Sequence, residues 1–246
     1  MTHSNVAQRA GPRIEGLDAW RVALMLGGFL LHASYWQPPQ PLFIAIGVIS
    51  HLFRMGCFFG ISGFLCGLSM RKRSGGAWLM RRFAQIGPPV LFGWGLLCPS
   101  IAVISHWYPR IPTPLAFDWH HIWFLVALLI YAPIATLFDE IDRSHNVAER
   151  IARLYCSRRS CSRRSLLLLL LSVGAMSFVL TAATEMLAAP FGSSAFGPML
   201  SETHNITGCL PDYLLGLAMA RSATLTAAVE RSWRCLLYTS PSPRDS

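Results

Sequence analysis

Arg21 and His32 have the residue types and the spacing of a catalytic pair near the start of the chain. They are eleven residues apart, and at about 100° per residue this spacing puts both on one face of a helix. Asp18 lies three residues before Arg21 and shares that face. Since the pKa of an unperturbed histidine is about 6.5, neutral His32 is suited to accept a proton from a hydroxyl group. The spacing therefore predicts a general base with a cationic neighbour.

Further polar candidates stand where two later apolar stretches begin. Arg54 opens one of them, and His121 opens another, together with Asp118 and His120. If successive stretches cross a membrane in opposite directions, His32 near the end of its stretch and Arg54 near the start of its own lie at a similar depth. We therefore expect these side chains to converge near one face of the membrane, where a cation can stabilise a developing oxyanion.

A second group of cations lies in one short connection between apolar stretches. Guanidinium groups bind phosphates through forked, charge-assisted hydrogen bonds. This connection is therefore a candidate site for a phosphate-bearing donor, and its arginines are Arg71, Arg73, Arg81 and Arg82.

The composition indicates which kind of structure holds these residues in place. Of the 246 residues, 53% are hydrophobic and only 13% are charged, with a mean hydropathy of +0.42. Soluble domains average about 25% charged residues. The chain therefore reads as an all-α, polytopic transmembrane helix bundle. Its net charge of +9 is assigned to membrane topology and contacts with membrane lipids, and no nucleic-acid partner is expected.

Six apolar blocks are visible. A helix needs about 20 apolar residues to cross the hydrocarbon, and the third, fourth and fifth blocks meet this length. The second is too long for one straight crossing, so we expect Leu42–Ser50 to lie along the outer surface and the crossing to begin near Phe53. The blocks are Trp20–Tyr35, Leu42–Met70, Ile86–Ile104, Trp119–Phe138, Leu166–Ala189 and a weaker one over Ile206–Ala220.

Basic residues alternate between the connections. The segment through Arg21 contains three, residues 71–85 contain five and residues 139–165 contain seven, whereas the alternate connections contain only Arg110. The positive-inside rule places the richer connections in the cytoplasm. The pattern predicts a cytoplasmic N-terminus, with the four arginines at 71–82 inside and His32 near the outer face.

Composition also divides the chain into three parts. We expect residues 1–12 to form a cytoplasmic tail and residues 13–234 to form the membrane domain. Residues 235–246 resemble the translation of a sequencing adapter rather than native sequence, so we expect the natural protein to continue past Arg234. Cys156 and Cys161 have no histidine pair at zinc spacing, so no metal site is expected.

Several motifs together resemble the membrane acyltransferase 3 family over about residues 13–220. Arg13–Arg21 followed by His32 is similar to the opening motif of that family, and Phe53–Phe64 is similar to its second-helix motif. The other similar segments are Arg82 with Gly87–Pro89, His121–Leu125 and Tyr213–Leu217. The closest resemblance is to the glucan biosynthesis protein C branch, which adds succinyl groups to periplasmic glucans.

The resemblance implies a multi-pass protein of the bacterial inner membrane that transfers a succinyl or acetyl group from acyl-CoA to a carbohydrate hydroxyl outside. It makes His32 the catalytic residue and Arg21 its partner, with Arg54 or His121 near the reacting carbonyl. The basic residues near Arg82 then bind CoA. The family often has a second arginine three residues after the one at the Arg82 position, and here that residue is Gln85.

Other interpretations remain open from the residues alone. His32 is also compatible with a structural hydrogen bond to a neighbouring helix, and Arg21 with snorkelling to headgroups. A transporter that uses His32 and Arg54 as a proton or anion relay is the competing functional class, although no repeated halves are visible. A third possibility is a fragment that lacks the helices needed to complete its site.

Overall fold

The computed structural model describes residues 15–34, 41–71, 74–107, 119, 122–156, 162–192 and 197–238. Of these residues 94% are helical, and none lies in a strand, which confirms the all-α class. The α-helices are α1 (Glu15–Ser34), α2 (Pro41–Met70), α3 (Gly75–Phe92), α4 (Cys98–Trp107), α5 (Trp123–His145), α6 (Val147–Tyr155), α7 (Arg163–Ala188), α8 (Gly197–Ser201), α9 (Thr203–Gly208), α10 (Leu210–Arg221) and α11 (Ala223–Tyr238).

Three described segments are long and apolar enough to cross a bilayer. They are Gly75–Ile104, Trp123–His145 and Arg164–Phe191, and Arg54–Met70 is a shorter apolar helix. These three segments correspond to the third, fourth and fifth apolar blocks of the sequence. The count of six crossings and the cytoplasmic N-terminus stay predictions.

Helix α2 differs from its sequence-based description. Pro41–Met70 is one continuous helix of 30 residues, so the chain does not turn between Ser50 and Phe53. The expected start of the membrane crossing near Phe53 stays a prediction. His51 and Arg54 are polar but do not interrupt a helix, because breaking one usually requires proline or an inserted group. The sixth block also differs, since α9 and α10 divide it at Cys209.

Helix α3 begins earlier than its apolar block. It starts at Gly75, so Arg81 and Arg82 belong to the helix rather than to a connecting loop. Pro88 and Pro89 lie inside it and remove two backbone donors. A few residues later the path continues through a π-helical turn, Gly93–Leu97, into α4. The turn packs closely on the start of α5, because a Cβ on Gly93 would approach Ile122 Cγ2 to 2.8 Å.

Neighbouring contacts fix the directions of the helices. Gly56 faces Asp212 and Gly67 faces Ala220, so α2 and α10 run parallel. At the start of α5, Trp123 contacts Phe59 of α2, with ring centroids 5.9 Å apart. The last turns of α5 lie beside the end of α10, where an ion pair joins the two helices, so α5 runs in the same direction. We call the two ends of this bundle the Arg54 end and the Arg71 end.

Aromatic side chains fill the space between these three helices. Tyr131 of α5 lies between Phe59 of α2 and Tyr213 of α10, with ring centroids at 5.5 and 4.9 Å respectively. All three side chains are buried, and the Tyr131 hydroxyl donates to the Ile206 carbonyl. The core therefore lies beside α2, and it holds α5 and α10 at fixed heights along that helix.

Candidate functional site

Helix α1 packs antiparallel on α2 through the predicted cations. The Arg21 guanidinium lies over the Phe58 ring at 5.4 Å from its centroid, and this geometry is an attractive cation–π contact. Seven residues further along α1, Gly28 is buried, and a Cβ there would overlap the Arg54 guanidinium. Glycine at this position therefore makes room for Arg54 between the two helices.

His32 belongs to α1 and follows Gly28 by four residues, so the two share a helix face at the Arg54 end. The described structure thus brings Arg21 and Arg54 into one α1–α2 contact, with Arg54 one turn from the backbone of His32. The side chains of His32 and Asp18 lie outside the described residues.

The other expected member of this site is His121, which lies outside the described residues together with Asp118 and His120. Its neighbours Ile122 and Trp123 are described. Trp123 contacts Phe59, so the start of α5 lies within about 8 Å of the height of Arg54 along α2. The convergence of His121 with Arg54 stays a prediction.

A different set of cations meets at the Arg71 end. The Arg71 guanidinium donates to the Ala220 carbonyl at the end of α10. The charges of Arg71 and Arg221 act on each other, and those of Arg82 and Arg221 both act on the Cys66 thiol. We call Arg71, Arg82 and Arg221 the Arg71-end cluster.

Three contacts hold this cluster in place. The Arg82 guanidinium lies over the Trp78 ring at 5.8 Å, and the Trp78 indole donates to Ser69 Oγ at 2.7 Å. Arg221 forms an ion pair with the buried Asp139 carboxylate. Three cations with one internal carboxylate leave excess positive charge, which is the electrostatic requirement for binding phosphate.

Not every predicted donor-binding arginine joins the cluster. Arg81 is beside Arg82 in sequence but lies on a different side of α3. Arg73 lies outside the described residues. The structure therefore brings two of the four predicted arginines, Arg71 and Arg82, to one place.

Sequence reasoning missed Asp139 and Arg221 as members of the site at the Arg71 end. Asp139 follows the fourth apolar block directly and Arg221 follows the sixth directly, so both had read as ordinary ends of membrane segments. The available signal was the cost of placing an ionisable group in apolar surroundings, which calls for a partner.

The two groups of cations are far apart. Seventeen residues of α2 and its C-terminal turn separate Arg54 from Arg71, and at about 1.5 Å per residue this is a distance of about 25 Å. No group of three or more histidine, cysteine or acidic residues suited to a metal ion occurs in the part of the chain that the structure describes. The arrangement is thus a cationic site near a histidine about halfway along α2 and a phosphate-compatible site at the C-terminal end of that helix.

Comparison with known proteins gives one match. No curated protein and no solved structure matches the chain. The family model described as an acyltransferase domain, acyltransferase 3, matches residues 14–238. This match includes α1, α2 and both groups of cations. The chain therefore belongs to the acyltransferase 3 family of membrane proteins.

Proposed function

We propose that this protein is an integral acyltransferase of the bacterial inner membrane. It moves a succinyl or acetyl group from acyl-CoA to a hydroxyl of a periplasmic or cell-surface carbohydrate, as in the glucan-modifying branch of the family. The observation that supports this proposal best is the layout along α2. The Arg71-end cluster lies at the C-terminal end of this helix, and Arg54, packed on the helix of His32, lies about 25 Å away near its middle.

In this proposal the Arg71 end is cytoplasmic. Arg71 and Arg82, with Arg221, bind the CoA phosphates, and Arg73 and Arg81 add positive charge at the same membrane face. The acyl group then extends along α2 on the pantetheine arm of CoA. Phosphates stay at the face where they are soluble, and only the uncharged arm enters the membrane, since burying an unpaired phosphate costs far more.

The reaction takes place at the Arg54 end. The acceptor hydroxyl oxygen attacks the thioester carbonyl carbon while its proton passes to neutral His32. Arg54, with His121 and the neighbouring Arg21, stabilises the negative charge that develops on the carbonyl oxygen. The C–S bond then breaks, the acyl group stays on the acceptor oxygen, and the CoA sulfur leaves with the proton from His32.

Substitution of His32 tests the mechanism. We expect His32→Ala in purified protein reconstituted in lipid nanodiscs to lose acyl transfer by at least about 100-fold, with unchanged membrane insertion. The measurement is release of CoA thiol that depends on a carbohydrate acceptor. His145→Ala is the control, because His145 is exposed at the end of α5. Normal transfer by His32→Ala would contradict the mechanism. Solute flux without thioester cleavage would identify a transporter instead.

A further inference from the structure

A cavity of about 760 Å³ lies between α1, α2, α7, α10 and α11. Most of its lining is hydrocarbon, contributed by Leu17, Ile61, Phe64, Leu170, Leu215 and Met219. On the α2 side it runs from Gly56 to Phe64, which is about 12 Å at the rise of a helix. A cavity of this length with such a lining fits a hydrocarbon chain.

One end of the cavity contains a carboxylate. Asp212 is partly buried in the first turn of α10, and its carboxylate atoms lie 3.5 Å from the position that a Cβ on Gly56 would take. The Ser177 hydroxyl of α7 lies beside this carboxylate. Gly56 is two residues from Arg54, so Asp212 is within about 3 Å of the height of Arg54 along α2.

At the other end of the cavity, the lining hydroxyl group already has a hydrogen-bond partner. Leu17, Met219 and Thr226 line it, and the Thr226 hydroxyl already donates to the Met219 carbonyl at 2.7 Å. Glu230 lies at this end and is exposed. The partly buried carboxylate that remains to receive a ligand is therefore Asp212, at the Arg54 end.

Charge excludes several occupants. Asp212 and Glu230 repel phosphate, so neither the phosphates of CoA nor an anionic headgroup fits the cavity. A carboxylate accepts hydrogen bonds from hydroxyl groups, and such bonds are stronger than those between neutral groups. The complementary occupant is thus an amphiphile with a hydrocarbon chain and an uncharged, hydroxyl-bearing head.

We infer that this cavity binds an amphiphilic acceptor, with its hydrocarbon chain along α2 and α10 and a head hydroxyl donating to Asp212. The inference rests on the proposed function, because it gives the substrate class of that reaction. It places this hydroxyl at the height of Arg54 along α2, but on the face that packs against α10, whereas Arg54 lies on the face that packs against α1. Asp212 therefore anchors one hydroxyl of the head, and another hydroxyl of the same head is the one that reacts. Asp212 binds the acceptor, and His32 remains the group that takes the proton.

The first experiment compares two acceptors and two neighbouring substitutions. With acetyl-CoA as donor and protein in nanodiscs, we expect kcat/KM for n-octyl β-D-glucoside, kept below its micelle concentration, to exceed that for glucose by at least about tenfold. Leu170→Trp fills the cavity and should abolish this preference. Leu171→Trp is the control, because Leu171 is exposed on the same helix and does not line the cavity.

The second experiment tests the carboxylate. Asp212→Asn should raise KM for n-octyl β-D-glucoside by about tenfold or more while kcat changes much less, since the hydrogen bond to a charged acceptor is weakened in binding. Glu140→Gln, which changes an exposed carboxylate of α5 that does not line the cavity, should leave KM unchanged. If Asp212→Asn does not fold, the Leu170 and Leu171 pair still decides the question.

The outcomes separate the inference from the proposed function. Equal use of glucose and n-octyl β-D-glucoside by the unaltered protein, or equal kinetics for Leu170→Trp and Leu171→Trp, would overturn the amphiphile site. An unchanged KM in folded Asp212→Asn would overturn the role of Asp212. If the unaltered protein transfers no acyl group to any hydroxyl acceptor, the proposed function itself fails.

Discussion

Helix α2 meets α10 through glycines and meets α1 through two long side chains. A Cβ on Gly63 would overlap the Tyr213 carbonyl, and one on Gly216 would overlap the Gly60 carbonyl, so backbone lies directly on backbone. On the α1 side, Arg54 lies against Gly28 and Phe58 lies under Arg21. In lipid, helix association depends on close van der Waals packing of small residues, so the α10 face fixes the architecture. The α1 face holds Arg21 and Arg54, the two cations of the proposed reaction site.

At the Arg71 end of the glycine contact between α2 and α10, Arg221 of α10 forms an ion pair with Asp139 of α5. Removing this carboxylate should cause the largest loss of stability, about 3–5 kcal/mol, because the partly buried Arg221 would lose its ion-pair partner. We expect Asp139→Ala to lower the midpoint of thermal unfolding in detergent sharply.

Glu140→Ala is the matched control, because Glu140 is the next residue on α5 and is exposed. The two variants should differ clearly in their unfolding midpoints. Equal midpoints would mean that α10 is held without the ion pair, and that the glycine contact alone fixes its position.

Substitution of Arg54 tests the face of α2 that packs against α1. Arg54→Ala should lower the rate of acyl transfer by about 100-fold, which is the usual cost of removing one donor to an oxyanion. The protein should remain folded, because the substitution enlarges space beside Gly28 and leaves the α10 contact intact. The measurement is kcat together with the unfolding midpoint, and a large loss of stability with little loss of kcat would reverse the roles assigned to the two faces.

The same chemical change on each face gives the sharpest comparison. Gly216→Ala should destabilise the protein by about 1–3 kcal/mol, because the new methyl group meets the Gly60 backbone, which cannot move without shifting a helix. The unfolding midpoint in detergent measures this effect. Gly87→Ala is the control, since nothing lies within 4 Å of a Cβ there, and an equal midpoint for both would argue against close backbone packing.

Gly28→Ala should have the smallest effect on stability. Its methyl group meets the end of the flexible Arg54 side chain, which can move at little cost. We expect a several-fold decrease in kcat, since a displaced guanidinium stabilises charge less well, and an unfolding midpoint close to that of the unaltered protein. A variant that loses stability and keeps its activity would show that Arg54 serves packing alone.

Much of the fold was visible in the sequence because long apolar runs in lipid can only be satisfied as helices. The runs over Ile86–Ile104, Trp119–Phe138 and Leu166–Ala189 correspond to the three candidate spans. Helix ends were less visible. Arg81 and Arg82 looked like loop residues, yet α3 begins at Gly75, because arginine is a good helix former and its charge does not end a helix.

For the candidate sites, too, local relations could be predicted from the sequence and contacts between distant residues could not. Helical spacing alone predicted that Asp18, Arg21 and His32 share one face, because that relation is local and depends only on the helix period. The sequence could not show that Asp139 pairs with Arg221, since the two are 82 residues apart and meet only when α5 and α10 run side by side.

The sequence by itself determined that this chain is helical, apolar enough for a bilayer, and cationic in alternate connections. These properties follow from residue type and local period. Only the tertiary structure decided which helices touch. It placed the glycines of α2 against α10, put Arg54 in the space at Gly28, and left a cavity beside Asp212. The reason is that shape complementarity between distant segments is a property of the packed chain and of no single segment.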